Sequence, residues 1–174
     1  SIFDLKVPSN VKLHFEYFFG YMVDQVRNLA VEWGKNYDYI FFVDSDIAFD
    51  ESALIRLLSL NKDVSSGVYV QRKTPSNITE VYVDTHRGQE NLLWTDDLKY
   101  KVMQVSAVGM GCCLIKGNVL RSMHYPYFYY TSALNHDHAI SEDTYFCNKV
   151  KDMGMEIWVD FGVICGLRTI QEQK

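Results

Sequence analysis

A short apolar run that ends in two aspartates constrains this chain more than any other feature. Residues 40–43 are all β-branched or aromatic, and Asp44, Ser45 and Asp46 follow directly. Such a run predicts a strand over residues 39–43 that is buried on both faces. Side chains alternate along a strand, so we expect Asp44 and Asp46 on one side and Ser45 opposite. Two neighbouring carboxylates repel each other, and Mg²⁺ or Mn²⁺ would relieve this repulsion and hold a phosphate.

Composition narrows the class of protein. The 174 residues predict a single domain over residues 1–174 with its own hydrophobic core. A net charge of −5 without a lysine or arginine cluster argues against nucleic acid as the main partner. The four cysteines have no C-x-x-C spacing, which disfavours zinc and favours reduced thiols in a cytoplasmic, intracellular compartment. No stretch reaches about 18 apolar residues, so we expect no membrane span in this chain.

The first half of the chain predicts alternating strands and helices. Apolar and polar residues alternate over residues 11–17, which predicts a strand, and residues 64–70 predict another. Between them, helical spacing predicts a helix that ends at Gly34 and has an apolar face of Val23, Val26, Ala30 and Trp33.

Two arginines lie near the expected site. Arg27 falls close to the apolar face of its helix, where it would need an anionic partner; a solvated helix arginine is the alternative. Arg72 follows the strand at residues 64–70. Ligands of open α/β sheets gather at the carboxyl ends of strands, so Arg72 would face the same crevice as Asp46. A solvated Arg72 is equally compatible with the sequence.

The second half of the chain is richer in strands. We predict a hairpin within residues 81–94, a strand over residues 101–108 and an extended segment over residues 112–115. The turn Gly109-Met110-Gly111 would let the backbone approach a bulky group, with a β-bulge as the alternative. The aromatic run at residues 125–130 would line a groove or pack in the core.

The last helix begins with a clear capping signal. Ser141 is the expected N-cap, Glu142 and Asp143 lie in the first turn, and Phe146 and Val150 form the buried face. Interaction with the helix dipole alone would explain acidic residues there. A final strand over residues 157–165 completes an α/β sandwich with a mixed sheet.

Four elements in this order resemble nucleotide-sugar glycosyltransferases of the GT-A type. They are Gly20 with residues 26–30, the D-x-D strand at residues 39–47, the glycine-containing strand at residues 108–115, and residues 141–147 with 158–160 and 165–166. The resemblance implies a Rossmann-like α/β/α sandwich with a central mixed, mainly parallel sheet. A fainter likeness to small glycosyltransferase domains of large DNA viruses would place the protein in the host cytoplasm.

The resemblance also implies an activity and a set of site residues. It implies metal-dependent, inverting transfer of a hexose, by the family's preference from UDP, to a hydroxyl of a glycan or glycoprotein. Asp143, beside Glu142, is the candidate general base, and Asp44 and Asp46 are the metal ligands. The remaining expected contacts are Arg27, Asp44, Ser45, Asp46 and Arg72 to the donor, and Trp94, Gly109, Met110, Gly111 and Tyr127 to the acceptor.

Two departures from the family keep other functions open. Only 43 residues precede Asp44, so part of the N-terminal nucleotide-binding unit is short, rearranged or absent. Leu167 stands where the family often has a metal-binding histidine, for which His136 and His138 are candidate substitutes. One alternative is a phosphatase of the haloacid-dehalogenase type with Asp44 as nucleophile. Another is a non-catalytic module that binds nucleotides or glycans.

Overall fold

The computed structural model describes residues 4–20, 22–70, 77–131 and 140–167. Within these residues the chain forms four α-helices and ten β-strands. The helices are α1 (Val23–Gly34), α2 (Ala53–Leu60), α3 (Gly117–Ser122) and α4 (Glu142–Asp152). The strands are β1 (Tyr39–Val43), β2 (Ile47–Ala48), β3 (Val64–Val68), β4 (Ile78–Thr85), β5 (Gly88–Leu93), β6 (Val102–Val105), β7 (Ala107–Val108), β8 (Cys112–Lys116), β9 (Ile157–Ile164) and β10 (Gly166–Leu167).

A five-stranded mixed sheet in the order β1-β8-β3-β9-β6 forms the centre of the described fold. The mixed sheet predicted from the sequence is therefore confirmed. Strands β1, β3 and β9 run in one direction, but β8 lies antiparallel between β1 and β3, and β6 lies antiparallel beside β9. As a result, β3 and β9 are the one parallel pair among the described strands of this sheet, so neighbouring strands are mostly antiparallel rather than mainly parallel.

Alternation along the central strands separates two hydrophobic layers. In β8, Cys113 and Ile115 belong to one cluster, while Cys112 and Leu114 belong to the other. This is the period of two that a strand imposes on its side chains. Residues of α1, α3 and α4 complete the first cluster, and residues of α2 complete the second. Helices therefore cover both faces, which gives the predicted α/β/α sandwich.

Two smaller sheets flank the central one, with orders β5-β4-β7 and β10-β2. The predicted hairpin is confirmed as β4 and β5. The single strand predicted over residues 101–108 is instead two strands, β6 and β7, in different sheets. Ser106 lies between them and donates both its N–H and its hydroxyl to the carbonyl oxygen of Tyr82, each at 2.8 Å. This contact fixes the point at which the chain changes sheets.

Two predictions for exposed elements were wrong. Residues 11–17 form no strand, and Leu13, Phe15 and Tyr17 are exposed, because this segment pairs with no described strand. Strand β1 has its predicted bounds but is not buried on both faces. Within it, Ile40 is buried and the other four residues are half-buried, because β1 lies at the edge of the central sheet.

Helix α1 has its predicted extent but a different buried face. The predicted face was wrong in Val23 and Trp33, which are 47% and 41% exposed. Ala30 is buried as predicted, together with Arg27, Asn28, Val31 and Gly34. Burial of an arginine and an asparagine requires specific polar partners.

Candidate active site

Helix α4 begins at the site, where Ser141 acts as the predicted N-cap. Its hydroxyl accepts the backbone N–H of Thr144 at 3.3 Å. Phe146 is fully buried, as is Val150 one turn later, so the helix is held against the core. The first turn therefore presents Glu142 and Asp143 at a fixed position.

Arg27 joins three separated parts of the chain. Its side chain is buried, and Nη1 donates to Glu142 Oε1 and to Asp143 Oδ1. Its Nη2 lies 3.5 Å from Asp44 Oδ1. The anionic partners expected for a buried arginine are therefore present. These carboxylates contact the guanidinium group, and the direct donor contact predicted for Arg27 stays a prediction.

Asn28, the neighbour of Arg27, fixes α1 to the loop at residues 127–128. Its side-chain amide donates to the carbonyl oxygen of Phe128 at 2.7 Å. Its Oδ1 accepts the backbone N–H groups of Tyr127 at 2.8 Å and Phe128 at 3.2 Å. The Arg27 guanidinium lies 5.8 Å from the centre of the Phe128 ring. Asn28 thus holds the helix that carries Arg27.

The turn Gly109-Met110-Gly111 connects Asp44 with Asp143 through its backbone. The N–H of Met110 donates to Asp143 Oδ2 at 3.2 Å, and the carbonyl of Gly111 accepts the N–H of Asp44 at 3.1 Å. The N–H of Gly111 donates to the Tyr69 hydroxyl at 3.4 Å. The Met110 side chain is fully buried, so its contribution at the site comes from its backbone.

The D-x-D segment is a turn rather than the end of a strand. Strand β1 ends before it, and the N–H of Ile47 donates to the carbonyl of Asp44 at 3.1 Å. The alternation expected for Asp44, Ser45 and Asp46 was therefore wrong, because alternation holds only within a strand. Asp44 and Ser45 are exposed, and Asp46 is half-buried.

The carboxylate of Asp44 is the exposed acidic group of the turn that the sequence predicted to bind a divalent cation. Its Oδ1 faces Arg27, and its Oδ2 faces the space left by Gly111, where a Cβ would lie 3.1 Å away. Carboxylate oxygens are suitable ligands for Mg²⁺ and Mn²⁺, and Mg²⁺ commonly uses one or two carboxylates with substrate phosphates. In the described part of the chain, no group of three or more His, Cys, Asp or Glu side chains is arranged to hold a metal.

The position at which the resemblance to GT-A enzymes implies a metal-binding histidine lies beside this turn. Strand β10 pairs antiparallel with β2, which places Leu167 opposite Ile47, next to Asp46. Leucine has no atom that binds a metal, so Leu167 cannot take the place of that histidine, and metal binding by Asp44 and Asp46 stays a prediction. Arg72, His136 and His138 lie outside the described residues.

Burial changes the proton affinities of two side chains at the site. It raises the pKa of Asp143 to about 7, although the Arg27 guanidinium acts in the opposite direction, and the Glu142 carboxylate adds to the rise. Burial also raises the pKa of the Tyr69 hydroxyl above its ordinary value, with further contributions from Asp143 and Asp44. Near neutral pH, the protonated and ionised forms of Asp143 are therefore both populated, while Tyr69 stays protonated.

A cavity of about 200 Å³ opens beside Asp143. Its lining residues are Tyr69, Glu80, Tyr82, Gly109, Tyr130, Ser141, Glu142 and Asp143. The sequence had singled out Gly109, Glu142 and Asp143 as functional residues. It missed Tyr69, Glu80 and Tyr82, although Tyr69 lies at the carboxyl end of the strand predicted over residues 64–70. Tyr130 belongs to the aromatic run at residues 125–130, for which lining a groove was one of the two alternatives.

Two predicted acceptor residues lie elsewhere. Trp94 is half-buried and packs against Phe161, with ring centres 6.1 Å apart. Tyr127 is 4% exposed, and its hydroxyl donates to Glu32 Oε1 at 2.7 Å. Neither residue lines the described cavity. For Tyr127, the alternative given for the aromatic run, packing in the core, fits better, and Trp94 also packs against a neighbouring ring.

Comparison with known proteins shows the class of fold. No family model and no curated protein sequence matches the chain. Among solved structures, it is similar to A197 from STIV, with a TM-score of 0.60 and 19% identity over 85% of this chain and 68% of that one. It is also similar to GalNAc-T7, crystallised with UDP, GalNAc and Mn²⁺, with a TM-score of 0.55 and 10% identity over 83% of this chain and 30% of that one.

Identities this low establish the fold alone. The chain has the mixed α/β fold of GT-A glycosyltransferases and spans less than a third of the GalNAc-T7 chain. Among the described residues, no helix is long and apolar enough to cross a membrane. All four cysteines are free and buried.

Proposed function

We propose that this protein is a glycosyltransferase that moves a hexose from a nucleoside-diphosphate sugar, with UDP as the expected nucleotide, to a hydroxyl of a glycan or glycoprotein. The observation that carries the proposal is the contact of Arg27 with Asp44, Glu142 and Asp143. It brings the D-x-D turn and the acidic start of α4 together beside a cavity. The similarity in fold to GalNAc-T7, whose crystals contain UDP, GalNAc and Mn²⁺, supports this class of activity.

The donor is proposed to bind at the D-x-D turn. Asp44 and Asp46 would hold Mg²⁺ or Mn²⁺, which stabilises the charge of a leaving diphosphate when bound. Ser45 is exposed at the same turn and is a proposed donor contact, as is Arg72. The Gly111 backbone carbonyl fixes Asp44, so the turn keeps its position relative to α4.

Asp143 is proposed to act as the general base. As the acceptor hydroxyl attacks the anomeric carbon, its proton passes to the Asp143 carboxylate. The bond from the anomeric carbon to the diphosphate oxygen breaks on the opposite side, so the configuration inverts. A base with a pKa of about 7 suits proton transfer near neutral pH. The Arg27 guanidinium and the Met110 N–H hold one carboxylate oxygen each, which fixes the orientation of the base.

Transfer from a panel of UDP-hexoses, with and without Mn²⁺, tests this proposal. We expect Asp143→Asn to lose about 100- to 10,000-fold in turnover and to keep donor binding, because it removes the base alone. Asp46→Ala should lose metal-dependent donor binding. Asp97→Asn is the matched control, because Asp97 is exposed and pairs with Lys101 away from the cavity.

The outcomes separate the proposal from its alternatives. A normal transfer rate for Asp143→Asn would show that Asp143 is not the base. Hydrolysis of a simple phosphomonoester without sugar transfer would identify a phosphatase. Calorimetric binding of a nucleoside diphosphate without any turnover would identify a non-catalytic binding module.

A further inference from the structure

The cavity beside Asp143 contains more carboxylates than one proton transfer requires. Glu80, Glu142 and Asp143 all line it, whereas no lysine, arginine or histidine does so among the described residues. Arg27 lies behind the cavity wall, where Glu142 and Asp143 already bind it. The space that a substrate would enter is therefore negative in charge.

Glu80 is held in the cavity wall by both backbone and side chain. Its N–H donates to the carbonyl of Tyr69 at 3.1 Å, and its carbonyl accepts the N–H of Gly109 at 2.9 Å. Its Oε2 accepts the hydroxyl of Tyr82 at 3.0 Å. Glu80 and Tyr82 are two residues apart on β4, so their side chains lie on the same face of the strand. The carboxylate of Glu80 is thus a fixed feature of the wall.

The polar atoms that line the cavity favour a ligand that donates hydrogen bonds. Carboxylates accept only, and Oε2 of Glu142 is buried without a hydrogen-bond partner among the described residues. The hydroxyls of Tyr69, Tyr82 and Tyr130 both donate and accept, and their rings offer apolar surface. A ring that carries several hydroxyls satisfies this pattern. A carboxylate or phosphate would instead meet like charges.

We infer that the cavity admits one uncharged sugar ring of the acceptor and rejects its anionic equivalents, and that Glu80 is the residue that sets this specificity. This inference rests on the proposed function and names its acceptor class. The volume of about 200 Å³ agrees with a single ring, because pockets for larger drug-sized ligands span about 300–1,000 Å³.

Binding of matched sugars to the full chain tests the inference. The probes are the methyl glycosides of glucose and galactose and of the corresponding uronic acids, which carry a carboxylate in place of the 6-hydroxymethyl group. Their dissociation constants are measured by ligand-observed NMR titration at pH 7.5 without a donor. We expect at least one neutral glycoside to bind about fivefold or more tighter than its uronic acid, the effect of like charges about 4 Å apart even in bulk water.

Glu80→Gln should lower the ratio of the two dissociation constants, uronic acid over neutral glycoside, about threefold or more. The change should come mainly from tighter binding of the uronic acid. This substitution preserves the size of the side chain and its hydrogen bond to Tyr82. Glu90→Gln is the matched control, because Glu90 pairs with Arg87 outside the cavity, and it should leave the ratio unchanged.

Equal or tighter binding of the uronic acids by the native chain would overturn the inference, as would the absence of binding by all four probes. An equal ratio of the two dissociation constants in Glu80→Gln and Glu90→Gln would also overturn the inference. These results do not depend on the proposed activity, since no donor is present. Transfer to neutral and anionic sugars alike would contradict the inference and leave the proposed function intact.

Discussion

Replacing Arg27 by methionine should shift the pH dependence of sugar transfer to higher pH. Methionine keeps an unbranched apolar stem of similar length but removes the charge that faces Asp143. A neighbouring arginine lowers the pKa of a carboxyl by about 1–3 units. The pKa of Asp143, about 7 in the native protein, should therefore rise by that amount, to roughly 8–10 in the variant.

The size of the effect follows from the fraction of Asp143 that is ionised. At pH 7 this fraction is about one half in the native protein and falls to roughly 1/11 for a pKa near 8 or 1/1,000 for a pKa near 10. Since the base must be ionised to accept a proton, kcat/KM at pH 7 should fall about 5- to 500-fold. The loss should diminish as the pH is raised toward 10.

The stability of Arg27→Met should fall as the pH rises. Removing one partner of a buried ion pair costs about 3–5 kcal/mol, because a charge is left uncompensated. Asp143 has a folded pKa above its unfolded value, so the folded state favours its protonated form. The variant should therefore be least stable at high pH, where the buried carboxylate is ionised, and should regain stability as the pH falls through the raised pKa.

The assay is kcat/KM for transfer between pH 5.5 and 9.5 at saturating Mn²⁺, with thermal unfolding measured at each pH. Arg27→Lys keeps the charge, so the midpoint of its kcat/KM profile against pH should lie closer to that of the native protein. Arg56→Met is the matched control: Arg56 binds Asp160 through two hydrogen bonds, at 3.0 and 2.8 Å, away from the cavity. It should lose stability without a change in the midpoint.

An unchanged or lower midpoint in folded Arg27→Met would refute the reasoning. It would mean that Arg27 does not set the proton affinity of the base, or that Asp143 is not the base. A shift of equal size in Arg56→Met would show that the effect comes from a general loss of stability. Arg27→Met would then carry no information about the charge beside Asp143.

Two further substitutions test the framework around the site. Asn28→Ala should lower the free energy of unfolding in urea by about 2–4 kcal/mol, because it leaves buried backbone groups of residues 127–128 without partners; exposed Asn118→Ala is its control, and an equal loss in both would contradict the assignment. Gly109→Ala should displace Tyr69, since its Cβ would lie 2.0 Å from the hydroxyl oxygen, with a cost of about 1–3 kcal/mol and a loss of transfer. Gly166→Ala is the control for that change, because its Cβ would meet no atom within 4 Å, and native activity in Gly109→Ala would show that the close approach is unimportant.

Elements with strong local signals could be predicted from the sequence. The bounds of α1 and β1 agree with the apolar spacing and the glycine stop, and Ser141 caps α4 as its position before two acids indicated. These features depend on neighbours within one or two turns of the chain. A sequence read residue by residue contains that information.

Features that depend on pairing between distant segments could not be predicted. The alternation at residues 11–17 matches a strand, but a strand also needs a partner, and none of the described strands pairs with it. The insertion of β8 between β1 and β3 likewise has no local signal. Glu80 lines the cavity because β4 pairs with β7 just before the Gly109 turn, so its role becomes visible only in three dimensions.

The sequence indicated that Arg27 needs an anionic partner but not which residues would supply it. The balance of charge around Arg27 explains how the proposed site would work. Three carboxylates surround one guanidinium, so Asp44, Glu142 and Asp143 together leave a net charge of about −2 when all are ionised. A diphosphate would add further negative charge, and it should therefore bind here only together with a divalent cation. A cation held at Asp44 would also lower the pKa of Asp143, because positive charge favours the ionised carboxyl. Cation binding at Asp44 and ionisation of the proposed base would thus be coupled through the residues that Arg27 brings together.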